Sequence, residues 1–301
     1  MTLRQLEVFL AVSRDGSFSR AARTLGLSQP TLSEHVHELE RELGRPLFVR
    51  RGRTIALTEA GRVFEPHAQR AVRTVADGRQ AVMELDGLTR GALLIGAGTT
   101  PGIYVLPALL AEFRRRYPGI DVTLRIANSR VIEDQVRANQ LDLGVVGGHG
   151  LAPGERCVAA GLVDELALIV APRHPWARRR EIAPERLGGQ RVLIREPGSA
   201  TREVMERALH GAGVTLPTTM ELDHTEAIKQ AVMAGLGVAL VSVHAVRGEL
   251  ATRRLRVVRL RGLRIRRHFH VIHNDARALG ASARAFTALL EAHARSAVRA
   301  T

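Results

Sequence analysis

The chain has 301 residues, a formal net charge of +14, 45% hydrophobic residues and a single cysteine, Cys157. This length calls for more than one domain, and the lone cysteine excludes an internal disulfide framework and fits a reducing compartment. No uncharged run approaches about 18 residues and neither end reads as a secretory leader, so a cytoplasmic protein without a membrane partner is expected.

Thr2 and Gln5 have capping-box spacing ahead of Leu3, Leu6, Phe9 and Leu10, which predicts a first helix ending near Gly16. Ser17 caps a second helix, whose Ala21 and Ala22 let a neighbour approach closely, and Gly26 stops it. Ser28 caps a third helix, with Pro30 tolerated in its first turn and Leu32, Val36, Leu39 and Leu43 on one face. The other face carries Gln29, Pro30, Thr31, Ser33, Glu34 and His37. A helix of this kind can enter a major groove, its N-terminal residues against base edges, while the preceding helix crosses the backbone. After it, residues 47–58 predict a hairpin with Arg50, Arg51, Gly52 and Arg53 at its tip, a wing suited to phosphates or a minor groove.

Over residues 3–61 (LRQLEVFLAVSRDGSFSRAARTLGLSQPTLSEHVHELERELGRPLFVRRGRTIALTEAG) the sequence resembles the LysR-type transcriptional regulators, and the likeness continues along the chain. The resemblance implies that Gln29, Pro30 and Ser33 lie at the groove and that Arg50, Arg51 and Arg53 hold the backbone of double-stranded operator DNA. Glu34 stands where these regulators commonly carry a basic or polar residue. A carboxylate there repels phosphate but can accept from a cytosine amino group.

Total charge adds little to this reading. Residues 1–66 hold ten Arg against eight acidic residues, and the surplus lies mostly beyond residue 90. There, Arg178-Arg179-Arg180 and the acid-free run 253–267, with eight arginines, read as a solvated basic face. Lys229 is the only lysine, which points to codon bias more than to selection for arginine chemistry. Cys157, between Val158 and Ala159, reads as an inert thiol.

A long helix is predicted from Thr58 to about residue 88, with Gly61, Phe64, Ala68, Ala71, Val75, Gly78, Val82 and Leu85 in a heptad seam and Pro66 bending its start. The seam is best buried against a second copy. The resemblance implies homodimers that pair into homotetramers, with RNA polymerase as a further partner.

From Gly91 the pattern alternates strand and helix: strands at 92–96, 121–126 and 141–146, helices at 103–117 and 131–139. A second cycle follows over 166–171, 191–194, 202–209, 227–234 and 238–241, before a last strand at 269–272 and a helix at 281–299. This is the grammar of an α/β fold with a mostly parallel sheet. The domains are therefore a winged helix-turn-helix at 1–58, a linker helix at 59–90 and a two-lobed α/β effector domain at 91–301. Lobe I takes about 91–161 and 268–301, lobe II about 162–267, in an arrangement resembling periplasmic binding proteins.

Ligands of such sheets sit beyond the strand C-termini. Thr99 and Thr100, Asn128 and Ser129, Ser199, Thr201 and Arg202, and His224 and Thr225 occupy four such strand-to-helix junctions. Together they suit a small anion. The resemblance implies that Thr99, Thr100, Asn128, Thr201 and Arg202 hold the inducer. Residues 96–124 and the segments REPGSATREVMERAL and EAIKQAVMAGLGVALVS look like regulators of carbon-fixation operons, which sense phosphorylated sugars or related metabolites. They look equally like the relatives controlling sulfur assimilation, which sense sulfur metabolites.

No cofactor, metal site or catalytic residue is read. His268 and His270 share a strand face that His273 does not, and no nucleophile elbow, Walker loop or dinucleotide fingerprint is present. A neutral or aromatic inducer is one alternative. A two-lobed solute-binding transport protein is another, and the attached winged domain argues against it.

Overall fold

The structure is a computed structural model describing residues 1–51, 54–83, 90–148, 155–217 and 219–299. Contacts divide the chain into residues 1–85 with the short segment 138–140, and the remainder.

In the first unit, α1 (Leu3–Asp15) opens with the expected reciprocal cap. The Thr2 hydroxyl accepts from the Gln5 amide at 3.2 Å and the Gln5 side chain accepts from the Thr2 amide at 2.7 Å. α2 (Phe18–Leu25) ends at Gly26, whose φ of 65° is a left-handed turn that a side chain would strain. α3 (Gln29–Leu43) begins at once, capped by Ser28. Val8, Val12, Ala21, Ala22, Leu32 and Val36 form the core between the three helices. A second cluster of Leu6, Phe9, Leu39, Leu47 and Ala68 joins the base of the wing to the next helix. The wing is the antiparallel pair β1 (Phe48–Arg51) and β2 (Thr54–Leu57), with Phe48 opposite Leu57.

Thr58 caps α4 (Glu59–Met83), its hydroxyl accepting from the Gly61 amide at 3.0 Å. The helix is continuous through Pro66. The expected seam is divided by burial. Gly61, Phe64 and Ala68 turn toward the winged core, while Ala71, Val75, Gly78 and Val82 remain exposed; Leu85 and the predicted helix end lie outside the described residues. The division follows from Phe64, which packs on Phe9 with ring centroids 5.4 Å apart.

The second unit begins with β3 (Gly91–Gly98), α5 (Thr99–Tyr104), α6 (Leu106–Arg116), β4 (Ile120–Ala127), α7 (Ser129–Arg137) and β5 (Leu143–Gly148). The single helix expected over 103–117 is therefore two. Pro107, near the start of α6, has no N–H to continue the α5 ladder. β6 (Glu155–Val170) is far longer than the predicted strand at 166–171. It leads through β7 (Glu181–Ile182), β8 (Val192–Ile194), α8 (Ala200–Gly211), β9 (Thr219–Glu221), α9 (Thr225–Met233), β10 (Val238–Ser242) and α10 (Arg247–Ala251) to β11 (Arg256–Leu260). β12 (Ile265–Asn274) and α11 (Ala281–Arg299) close the chain.

The sheet runs β4-β3-β5-β12-β6-β10-β8-β9. β3, β4 and β5 are mutually parallel, as are β10, β8 and β9, and the antiparallel pair β6 and β12 is shared between the two sets. Separate apolar cores lie on the two sides. One holds Leu93, Phe113, Phe269 and Phe286, and the other Leu168, Trp176, Val192 and Leu240. The result is two α/β lobes bridged by two crossing strands. The run 253–267 is corrected from a wholly solvated face: it contains β11 and the start of β12, and Arg267 is buried. No described helix is long and apolar enough to cross a membrane.

Candidate nucleic-acid interface and anion site

The first half of α3 and β2 line an open groove of about 370 Å³. Ser17, Ser19, Gln29, Ser33, His37 and Thr54 supply its polar wall, over a floor of Phe18, Val36, Phe48 and Ile55. Gln29, Pro30, Thr31, Glu34 and His37 are exposed and Ser33 is half-buried, because Leu32, Val36 and Leu39 take the inner face of the helix. The Ser19 hydroxyl donates to the Gln29 side-chain oxygen at 2.7 Å, and His37 lies 3.6 Å from Glu40. Arg50 and Arg51 fall at the end of β1, and Arg53 lies outside the described residues.

Glu40 was not singled out by sequence. Its carboxylate accepts from the amides of Leu47 at 2.7 Å and Phe48 at 3.2 Å, fastening the third helix to the root of the wing. A glutamate in a helix beside Arg41 looks like any surface residue, and only the return of the chain reveals what it holds.

In the second unit, the junctions predicted from sequence converge between the lobes. Thr99 and Thr100 of lobe I and Ser199, Thr201 and Thr225 of lobe II are all buried, as is Ser129. Four of them, Thr99, Thr100, Thr201 and Thr225, meet around two guanidinium groups that sequence reasoning missed. Arg195, just past β8, donates to Thr225 at 2.9 Å and to Thr99 at 3.3 Å, and pairs with Glu196 at 2.7 Å. Arg267 of β12 donates to Thr201 at 3.0 Å and to Thr100 at 3.2 Å, and pairs with Asp164 of β6 at 2.7 Å. Asp164 also accepts from Ser242 at 2.6 Å. A Cβ at Gly147 would stand 3.1 Å from the Arg267 guanidinium, so glycine there leaves the room that this side chain fills.

Burial is the main influence pulling the Arg267 pKa below the ordinary arginine value; the Asp164 charge opposes it, and the neighbouring Arg195 charge adds to it. Two guanidinium groups that feel one another in a site lined by hydroxyl groups have the chemistry to receive an anion, whose negative oxygens would take the place of the hydroxyls.

The remaining expected residues take other roles. Asn128 caps α7 through the Val131 amide at 3.1 Å and reaches Pro197 of lobe II at 3.5 Å. His224 is exposed. The Arg202 guanidinium is held by Glu206 and Glu221, both at 2.7 Å, and donates to the Arg195 carbonyl rather than to the clustered hydroxyls. The cause lies in helical spacing, since Glu206 follows Arg202 by one turn, and in β9, which brings Glu221 beside it.

Comparison with known proteins identifies both parts of the chain. Residues 3–62 match the family "Bacterial regulatory helix-turn-helix protein, lysR family", and residues 86–295 match "LysR substrate binding domain". The chain is 38% identical to the HTH-type transcriptional regulator CbbR of Rhodospirillum rubrum, over 98% of this chain and 97% of that one. It is also 38% identical to the RuBisCO operon transcriptional regulator of Allochromatium vinosum, over 95% and 94%. Among solved structures, the regulatory domain of Synechocystis PCC6803 CcmR in complex with 2-PG covers 68% of this chain and 98% of its own, at 29% identity and a TM-score of 0.64. Full-length CbnR complexed with its target DNA shares the fold at 22% identity and a TM-score of 0.71, over 98% of this chain and 99% of its own.

Proposed function

The chain belongs to the LysR family of transcriptional regulators, and from that premise we propose that a small anion held between the lobes by Arg195 and Arg267 sets how it acts on its operator. The observation that carries this reading is the pair of buried guanidiniums joined across the cleft to hydroxyls of both lobes. The CcmR domain captured with 2-PG and the regulators of RuBisCO operons among the relatives support an anionic metabolite of carbon fixation as the inducer.

Gln29, Pro30, Thr31, Ser33, Glu34 and His37 face the base edges, and the arginines of the wing face the phosphates. Two copies pair through the exposed Ala71, Val75, Gly78 and Val82 of α4, and dimers pair again into tetramers, so that two half-sites are read together. An anion with higher affinity for one arrangement of the lobes shifts the assembly toward it; equal affinity for both would shift nothing.

The test is calorimetric titration of the intact protein with inorganic phosphate and with 2-PG, repeated on Arg195→Met. Binding that weakens at least tenfold in the variant supports the cleft. Affinity unchanged by Arg195→Met, or binding of uncharged sugars alone, overturns it.

A further inference from the structure

Helix α5 is fastened to lobe II at both ends. Its first two residues, Thr99 and Thr100, accept from Arg195 and Arg267, and its last, Tyr104, crosses to a separate cluster. The Tyr104 ring packs against the core of Ile169, Leu193, Ile228 and Val232 in lobe II, and its hydroxyl donates to Glu226 of α9. Glu226 also pairs with Lys229 at 2.7 Å. Lys229 in turn pairs with Glu249 at 2.9 Å and donates to the Ala245 carbonyl at 2.8 Å. The only lysine of the chain is thus 4% exposed along its side chain, and its ammonium stands 5.6 Å from the Tyr104 ring centre.

The chemistry of the cluster keeps the bond in one form. Burial, then the hydrogen bond to Glu226, raises the Tyr104 pKa far above its ordinary value, so the phenol remains a donor. Burial opposes ionisation of Glu226, but the bonds from Lys229 and Tyr104 outweigh it and hold its carboxyl below the usual range. A charged acceptor makes this among the stronger kinds of hydrogen bond, and this one spans the two lobes. The Arg195 charge also acts on Tyr104, so the cluster adjoins the cleft electrostatically.

We infer that Tyr104 is a latch: its bond to Glu226 holds the lobes in the arrangement that brings Arg195 and Arg267 to one ligand. The inference rests on the anion reading of the cleft only for its effect on affinity. Tyr104 is a positioning residue, acting through Glu226 and Lys229 without touching the ligand. Without the latch, part of the population opens, and apparent affinity falls by the fraction that remains competent.

Tyr104→Phe in the full-length protein removes the hydroxyl and keeps the ring, with its apolar packing and its contact to Lys229. Nitroxides at Arg114→Cys on α6 and Arg207→Cys on α8, both exposed positions, report the lobe separation in a Cys157→Ser background diluted with unlabelled protein. The expected result without ligand is one distance for the protein with Tyr104 and an added longer population for Tyr104→Phe. In parallel, inorganic phosphate should bind the variant about tenfold more weakly, with the thermal midpoint lowered by no more than a few degrees. Identical distance distributions overturn the latch, whatever phosphate does. A wild-type protein that ignores phosphate refutes the anion reading alone, and the distances still decide the latch.

Discussion

Arg267→Met isolates the consequence of the buried ion pair. Asp164 is 1% exposed and accepts from Arg267 Nε at 2.8 Å and from Ser242 at 2.6 Å, with Arg267 Nη2 at 2.7 Å. Methionine fills much of the same volume but leaves the carboxylate with the Ser242 hydroxyl alone. Removing one partner of a buried pair costs about 3–5 kcal/mol, because the other charge stays buried without compensation. Adding Asp164→Asn removes that charge, and the double variant should regain all but about 1–2 kcal/mol, the cost of imperfectly satisfied amide groups. The assay is urea unfolding of the intact chain followed by tryptophan fluorescence. The only tryptophan, Trp176, is 6% exposed in the lobe II core and reports on the second unit without the first. A single variant costing less than about 1 kcal/mol, or a double variant no more stable than the single, would refute the argument. Neither variant should bind phosphate with native affinity, since each lacks a cation of the receptor.

Arg202→Ala should leave phosphate affinity within about twofold and lower stability by at most about 1 kcal/mol, because its partners Glu206 and Glu221 are 48% and 51% exposed; a tenfold loss on titration would return Arg202 to the cleft. Glu40→Ala frees the amides of Leu47 and Phe48, which should cost the winged unit about 1–3 kcal/mol and weaken operator and random DNA alike in gel shifts; unchanged binding of both would show that the wing is held by other means. Glu34→Ala removes a carboxylate from the groove face, so random DNA should bind more tightly while discrimination at one base pair falls by about 1–3 kcal/mol. A scan of single-base operator variants that finds no position relaxed would remove Glu34 from the base contacts.

The winged domain was legible because every local signal agreed there: caps at Thr2, Ser17 and Ser28, stops at Gly16 and Gly26, and an apolar face repeating at helical spacing. The cleft was half legible. Hydroxyl residues at strand-to-helix junctions identify themselves by position, whereas the cations were hidden in opposite ways. Arg195 sits just beyond a strand C-terminus, where a ligand is expected, but Arg202 seven residues later has the same charge and a more conspicuous helical context. Arg267 was lost within a run of arginines. Starting β12 at Ile265 exposes the signal, since Ile265, Arg267 and Phe269 alternate inward while Arg266 and His268 point out. An arginine in the apolar register of a strand needs a buried acid, and Asp164 lies more than a hundred residues away, beyond the reach of any local pattern.

The seclusion of Lys229 gives the protein an unusual chemical signature. With no other lysine in the chain, amine-directed reagents meet only the terminal amino group, itself paired with Glu42, and one side chain sealed beneath Tyr104. Acylation of Lys229 therefore proceeds only as fast as the cluster around it parts. Its rate, read by mass spectrometry from a single peptide, becomes a clock for the parting of that cluster, one that ticks without any substitution or knowledge of the inducer.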